Sequence, residues 1–428
     1  MLIEFRVKNF RSFRDEQVLS LVASNDKSLP NNCTEVGDLK LLRSAAIYGP
    51  NASGKSNLVK ALLFMRQFVL TSADTQAGQA IDVARFRLDA DSRRRTSSFE
   101  ATFLADGVGY SYGFTVCPDQ VQREWLLARP RGRQQKWFER TWDGRRKKPR
   151  WSFGPALKGE KRRLAGLTKA NSLFLSVAAK LNHAQLTPVS LWFFNSLRVV
   201  PSNLVASLSS RLFYALGSSD ESLMRGIQGF LSGFDVAIDG FEVEKLEKDP
   251  DLSRSLSRAQ RRRRLEVSER LLEEMSRKIE IRTFHRAVGK KDRVSFRLED
   301  ESDGTQRIVA LAPLWLLHLR GPNALVIDEL EASLHPLLSR KLVKMFHDPE
   351  INQKGAQLIF ATHDSTLMDL KLLRRDQIWF TERDRDGASH LYSLYDFKKR
   401  PRKDEAIQKG YFAGRYGALP VFGDVGEE

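Results

Sequence analysis

Gly49-Pro50-Asn51-Ala52-Ser53-Gly54-Lys55-Ser56 is a complete G-x-x-x-x-G-K-S phosphate loop, and most of the architecture follows from it. Its two glycines let the chain curl until successive backbone N–H groups point inward at phosphates. Lys55 can reach the outer phosphates, and the Ser56 hydroxyl is placed to ligate Mg²⁺. Upstream, Ser44-Ala45-Ala46-Ile47-Tyr48 is a short apolar run that reads as a buried parallel strand. Downstream, Asn57 to Leu70 carries apolar residues at helical spacing, so the loop ends on a helix N-terminus, where anions bind. A chance match in a glycine-rich turn would not bring that strand–loop–helix frame. The expectation is a bound nucleoside triphosphate, held by Gly49, Asn51, Ala52, Ser53, Gly54, Lys55, Ser56 and Asn57.

The second half of the site is expected far downstream. Asn323-Ala324-Leu325-Val326-Ile327-Asp328-Glu329 is an apolar strand that ends in two carboxylates. Alone, such a pair is an ordinary solvated turn. Opposite a phosphate loop it has a task, because the metal held by Ser56 needs a carboxylate across from it. Asp328 is therefore expected at the metal, and Glu329 as the base that polarises the attacking water. A third strand, Gln357-Leu358-Ile359-Phe360-Ala361-Thr362, runs into His363-Asp364. From that strand end His363 can contact the γ-phosphate and sense its presence.

Glu301-Ser302-Asp303-Gly304-Thr305-Gln306-Arg307 precedes an apolar helical stretch, Ile308 to Leu319, and comes just before the Asp-Glu strand. This resembles the signature motif of ABC-type ATPases, and Ser333-Leu334-His335-Pro336 stands where that class has its dimer-contacting loop. The resemblance implies ATP and Mg²⁺ as ligands and a composite site in which Ser302, Gly304, Thr305 and Gln306 act in trans on the γ-phosphate held by a second subunit. Asp303 departs from the commoner Gly-Gly signature. Beside a γ-phosphate its charge would be repulsive, so it must point away or pair with a cation such as Arg307. With its long insertion and no partner span, the chain is similar to the SMC-like branch and not to a transporter half. Met1 to Phe13, SAAIYGPNASGKSNLVKAL, NSLFLS at 171–176 and GYFAGRYGALP at 410–420 resemble the bacterial phage-defence ATPases of the RloA and AbiL kind, related to the overcoming-lysogenisation-defect proteins. That likeness implies that Arg11 and Ser12 lie near the nucleotide; the plain alternative is that both cap a strand. The glutamine that often lines such sites could be Gln67, Gln76 or Gln79.

A chain of 428 residues with a net charge of +17 suits two or three lobes and polyanionic partners. Its two cysteines, Cys33 and Cys117, cannot build a disulfide framework or a metal cluster, which suits a reducing cytoplasm. No apolar run reaches membrane-spanning length, and the N-terminus does not read as a signal peptide.

The expected fold class is α/β, an ABC/SMC-like ATPase head with a flanking β-rich lobe and a compact, mainly helical insertion. Residues 1–153 should hold the phosphate loop and the β-lobe, with hairpins turning at Asp106-Gly107 and Asp143-Gly144. Residues 154–290 should be the helical insertion, broken at Pro188 and Pro201. Residues 291–398 should hold the signature, the Asp-Glu strand and the switch histidine, and 399–428 a basic tail. Arg93-Arg94-Arg95, Arg145 to Arg150, Arg261 to Arg264 and Lys398 to Lys403 are basic clusters, each of which alone could be a solvated face; on so basic a chain at least one is expected to contact DNA or RNA phosphates, without sequence choice. Glu382-Arg383-Asp384-Arg385-Asp386 has the Asp-x-Asp of metal-dependent nucleases, yet Asp386-Gly387 already explains itself as a turn.

The function expected from these residues is a cytoplasmic ATPase that forms an ATP-dependent homodimer or higher oligomer. It would control a nuclease or toxin encoded nearby, touch nucleic acid, and have no membrane partner. The competing reading is a DNA-maintenance clamp similar to recombination mediators.

Overall fold

Ser44–Tyr48 is buried at every position, as an inner strand of a parallel sheet must be. In the computed structural model, which describes residues 1–130, 132–206, 209, 212–213, 221–234, 238–245, 279–288, 292–398 and 405–420, this strand lies inside a six-stranded sheet. Gln357–Ala361 pairs with it in parallel on one side and Ile378–Arg383 on the other. Ala324–Ile327 follows Gln357–Ala361, then Leu197–Val200, again all parallel. Ser389–Ser393 closes the opposite edge antiparallel to Ile378–Arg383. The strand that leads to His363 therefore separates the phosphate-loop strand from the Asp-Glu strand. Two inter-strand steps hold those last two about 10 Å apart, which leaves room for phosphates between the loop and Asp328.

The helix after the loop, Lys55–Thr71, buries Leu58, Val59, Ala61, Leu62, Met65, Phe68 and Val69 on one helical stripe. Beyond that stripe Phe64 and Phe68 meet Phe99 and Phe114 of a second sheet, with ring centroids 4.9 and 5.4 Å apart. This second sheet is antiparallel and seven-stranded: Lys148–Phe153, Gln135–Asp143, Gln120–Arg129, Val108–Cys117, Ser97–Ala105, Leu2–Lys8 and Gln17–Ser20, in that order. The β-rich lobe thus includes the first two strands of the chain. Its first hairpin turns on Asp106 (φ 49°) and Gly107 (φ 76°), the paired left-handed residues that an Asp-Gly turn requires. The second turns after Asp143, whose carboxylate accepts from the backbone N–H groups of Arg145 and Arg146.

The NSLFLS stretch has a structural task here. Glu124 and Arg140, both buried, form an ion pair at 3.3 Å across adjacent strands of the lobe. Glu124 also accepts from the backbone N–H groups of Phe174 (2.7 Å) and Leu175 (3.0 Å), and Arg140 donates to the Ser172 carbonyl. The Asn171 side chain donates to the carbonyls of Gln76 and Gln79. Charged groups this deep persist only when paired and hydrogen-bonded, so the motif is riveted to the lobe.

The span 154–290 differs from the single helical insertion expected. Helices Lys161–Leu167, Phe174–Lys180, Leu186–Asn195 and Glu221–Ser232 are present. Leu197–Val200, however, is a strand of the central sheet, and Gly240–Lys245 and Ile279–Arg286 join Arg293–Arg297 in a small antiparallel sheet. Leu173, Phe174, Val189 and Phe193 belong to the same buried cluster as Leu62 and Phe99, so this part of the span is core. Three apolar residues and an arginine directly after a helix give periodicity nothing to work with, which is why the strand at 197–200 does not announce itself. Pro188 is not a break either. It sits in the first turn of its helix, where no intrahelical N–H is lost. Arg261 to Arg264 and residues 399–404 lie outside the described residues. Tyr411 and Tyr416 of the tail stack on Phe380 of the central sheet, at 5.7 and 6.0 Å, and are buried there. Among the described residues no helix is long and apolar enough to cross a membrane.

Candidate functional site

The phosphate loop is held from behind. Gly49 (φ 151°) and Gly54 (φ 125°) adopt conformations that side-chain-bearing residues avoid, and both are crowded as well. A Cβ on Gly49 would overlap the Thr381 carbonyl, and one on Gly54 would stand 2.6 Å from Ser389 Oγ. Ser53 and Thr381 share a hydroxyl hydrogen bond at 2.6 Å, while Ser389 Oγ donates to the Ser53 carbonyl at 2.5 Å. Thr381 and Ser389 belong to the next strand and its return strand, so sheet pairing sets the loop's shape. Their contacts run across strands separated by more than 300 residues, and no local pattern could have flagged them. The free side of the loop carries Asn51 and Ala52, both exposed.

Lys55 Nζ donates to the carbonyls of Gly49 (2.7 Å) and Pro50 (3.0 Å). Burial lowers its pKa to about 8, against the pull of Asp328, Glu331 and Glu329. Asn57 Nδ2 donates to Ser12 Oγ at 2.8 Å, and the Ser12 carbonyl accepts from the Ser389 N–H at 2.7 Å. Ser12 therefore lies against the loop. Arg11 (φ 51°) turns away, with its guanidinium over the Phe10 ring at 5.6 Å and its N–H on the Ala84 carbonyl. Residues 9–14 form the turn between Leu2–Lys8 and Gln17–Ser20, with Phe10 and Phe13 bonded to each other in both directions.

Asp328 is buried, and its Oδ1 has no protein partner. Burial raises its carboxyl pKa, and a hydrogen bond from the Ser56 side chain opposes that rise. Among the described residues no group of three or more His, Cys, Asp or Glu could chelate a metal alone. One hydroxyl and one carboxylate beside a phosphate loop fit Mg²⁺, which takes few protein ligands and completes its shell with phosphate oxygens and water. Glu329 is exposed and left-handed (φ 52°), and its carbonyl accepts from Arg307 at 2.9 Å. His363 follows the histidine strand. Burial and the Lys55 charge lower its pKa, which keeps the imidazole neutral near pH 7. The His363 backbone N–H donates to Glu331 Oε1 at 2.5 Å. Glu331 is a site-facing acid that no motif marks, although it stands two residues beyond the Asp-Glu pair.

Ser302 caps the helix Asp303–Leu319, accepting from the Thr305 N–H at 3.2 Å, and is exposed. The Gln306 amide donates to the carbonyls of Glu299 and Glu301, so the side-chain hydrogen bonds of Ser302 and Gln306 stay within 299–306. A Cβ on Gly304 would come within 2.9 Å of the Ser333 carbonyl, which seats this helix start on the loop after the Asp-Glu strand. Asp303 is exposed in the first helical turn, where its charge suits the helix dipole, and Arg307 reaches the Glu329 carbonyl.

Gln67 lies twelve residues along its helix from Lys55, about 18 Å away, and Gln76 and Gln79 follow that helix's far end beside Asn171. Asp384 and Asp386 both pair with Arg14, and Asp384 also accepts from the Ala388 N–H, as a turn requires.

Residues 44–369, about three quarters of the chain, match the family model described as "AAA domain, putative AbiEii toxin, Type IV TA system". No curated protein matches the chain. Among solved structures it is similar to an SMC head domain from Thermotoga maritima, with 16% identity, a TM-score of 0.40, and 92% of this chain and 98% of that chain covered. It is also similar to an SMC head bound to the C-winged helix domain of ScpA, at 14% identity and TM-score 0.42, covering 92% of this chain and 97% of that one. A third likeness is to an SMC head with an extended coiled coil bound to the C-terminal domain of ScpA derived from Pyrococcus furiosus. There the identity is 14%, the TM-score 0.34 and the coverage 92% of this chain and 96% of that one.

Proposed function

The chain belongs to this AAA-domain family, and from that premise we propose that it is an ATP-hydrolysing switch that controls a partner effector in bacterial anti-phage defence, in the manner of the RloA and AbiL kind. The observation that carries the reading is a meeting of three parallel strand ends. The phosphate loop follows Tyr48, Asp328 follows Ile327 and His363 comes two residues after Ala361, all at one edge of the central sheet, where open α/β sheets bind ligands. The family description, with its toxin and toxin–antitoxin terms, supports a chain that works with a second component.

Residues 49–57 cradle the triphosphate through backbone N–H groups, and Lys55 exchanges its loop carbonyls for the outer phosphates. Ser56 and Asp328 would hold Mg²⁺, which would offset the charge that develops on the phosphates during transfer. Glu329 accepts the proton of the attacking water. His363, neutral, donates toward the γ-phosphate. The exposed, N-capped helix start at Ser302, Gly304, Thr305 and Gln306 binds the γ-phosphate held by the other subunit, so ATP joins two copies head to head. Hydrolysis removes that shared phosphate and reopens the dimer.

Light scattering tests the trans contact. With ATP and Mg²⁺, wild-type protein should double its mass, whereas Ser302→Arg should stay monomeric while still binding ATP. An ATP-dependent mass equal to that of wild type in Ser302→Arg would sink the trans assignment.

The charge of +17 and the exposed residues Arg93 to Arg95 and Arg145 to Lys148 support contact with DNA or RNA. The expected binding is weak in sequence preference and steep in salt, with the slope flattening by about 0.9 for each phosphate that is no longer neutralised. Replacing Arg145, Arg146, Lys147 and Lys148 together by uncharged residues should produce that flattening; an unchanged slope would leave this cluster without the role. The same charge favours the DNA-clamp alternative, and an adjacent nuclease or toxin gene as against a repair gene separates the two.

A further inference from the structure

Glu331 stands in the turn between Ala324–Ile327 and the helix Pro336–His347. That turn is fixed by two left-handed residues, Glu329 (φ 52°) and Ser333 (φ 59°). It is fixed again by Leu330, fully buried, whose N–H donates to the Ala361 carbonyl at 3.2 Å. The turn is thereby laid against the end of the histidine strand. On that strand the last bond to the phosphate-loop strand runs from the Thr362 N–H to the Ile47 carbonyl, at 3.0 Å. His363 is the first residue past the ladder, and its N–H is taken up by Glu331 Oε1. A carboxylate accepting from a backbone N–H makes a short, charge-assisted bond that a neutral loop contact would not equal.

The second oxygen, Oε2, is buried without a protein partner. Tyr48 Oη and Asp364 Oδ2 are in the same condition, and both carboxylates act on the Tyr48 hydroxyl. A purely structural turn has no reason to keep an unsatisfied buried carboxylate oxygen, which costs free energy. Glu331 also bears on Lys55 and on His363 more strongly than Glu329 does.

We propose that Glu331 is a positioning residue for ATP hydrolysis: through Oε1 it sets the backbone from which His363 reaches the γ-phosphate. It also ties the turn carrying Asp328 and Glu329 to the histidine strand, so that both sides of the γ-phosphate move as one piece. The proposal rests on the reading of His363 as the γ-phosphate contact.

Steady-state hydrolysis by five variants tests it. Glu331→Gln keeps the reach and an acceptor oxygen but loses the charge; its kcat should stay within about threefold of wild type. Glu331→Ala should lower kcat by about 10- to 100-fold with little change in KM, the scale of a misplaced catalytic group. Glu331→Asp keeps the charge but withdraws the oxygen by one methylene. It should also be slowed, and it decides the case if the alanine variant does not fold. Glu331→Ala in a His363→Ala background should cost less than it does in wild type, because its action through His363 is already lost. Wild-type kcat in both Glu331→Ala and Glu331→Asp, equal loss in Gln and Ala, or additive losses in the double variant would overturn the proposal. Wild-type turnover by His363→Ala alone would instead remove the reading beneath it.

Discussion

Lys55→Ala is expected to lose hydrolysis by at least about 10²–10³-fold, the usual effect of deleting one preorganised group that stabilises developing charge. ATP binding should weaken by roughly 10- to 100-fold, the worth of a hydrogen bond from a charged donor. The fold should survive, because the loop's shape does not depend on this side chain. Gly49 and Gly54 set its curvature, and Thr381 and Ser389 brace it from outside. The nucleotide-free ammonium sits on two loop carbonyls, with its pKa lowered by burial to about 8. A triphosphate restores the preference for charge, so above that pH binding must take up a proton. ATP affinity of the wild type should fall as pH rises through about 8, while that of Lys55→Ala should lose this step. The nucleotide-free protein should also gain stability between pH 8 and 10.5, since there the unfolded chain binds more protons than the folded one. Titrating a fluorescent ATP analogue on either side of pH 8 measures the first effect. In cells carrying the chain with its genomic neighbour, Lys55→Ala should abolish phage protection. Hydrolysis at the wild-type rate would remove the phosphate-loop reading altogether.

What could be read in the chain was contiguous chemistry. Glycines, lysine and serine fall within eight residues of the loop, and the paired acids and the histidine each terminate a short apolar run. Geometry forces that arrangement, because a parallel sheet delivers all its strand ends to one edge. The turns at Asp106-Gly107 and Asp386-Gly387 were legible for a similar local reason. The unread part is what the sheet itself brings together. Leu197–Val200 is too short to show a period, and its place is set by pairing with Ala324–Ile327, more than 120 residues away. Thr381, Ser389 and Glu331 matter through neighbours that only strand order supplies. Arg307 offered itself as a partner for Asp303, but the helix points it at the Glu329 carbonyl instead. Tyr411 and Tyr416 of the expected basic tail stack on Phe380, a strand residue some thirty positions upstream, and leave Phe412 exposed.

Glu329→Gln is expected to bind ATP as the wild type does and to hydrolyse it about 10²–10⁴-fold more slowly, as losing a general base requires. Because the shared γ-phosphate then persists, this variant should hold the closed dimer longer than wild type does after ATP is added. The backbone adds a sharper test. Glu329 holds φ at 52°, a conformation that strains a residue with a Cβ and that glycine adopts freely. Glycine there relieves strain but adds unfolded-state entropy, so Glu329→Gly should be as stable as wild type to within about 1 kcal/mol. It should still fail to hydrolyse ATP. A residue kept for turn geometry alone would give the opposite result, with full turnover in the glycine variant. Thermal unfolding, ATP turnover and light scattering on the same preparations distinguish the two outcomes. Wild-type turnover in Glu329→Gln would place the base elsewhere. A fast Glu331→Gln beside a stalled Glu329→Gln would assign base chemistry to the exposed acid and positioning to the half-buried one.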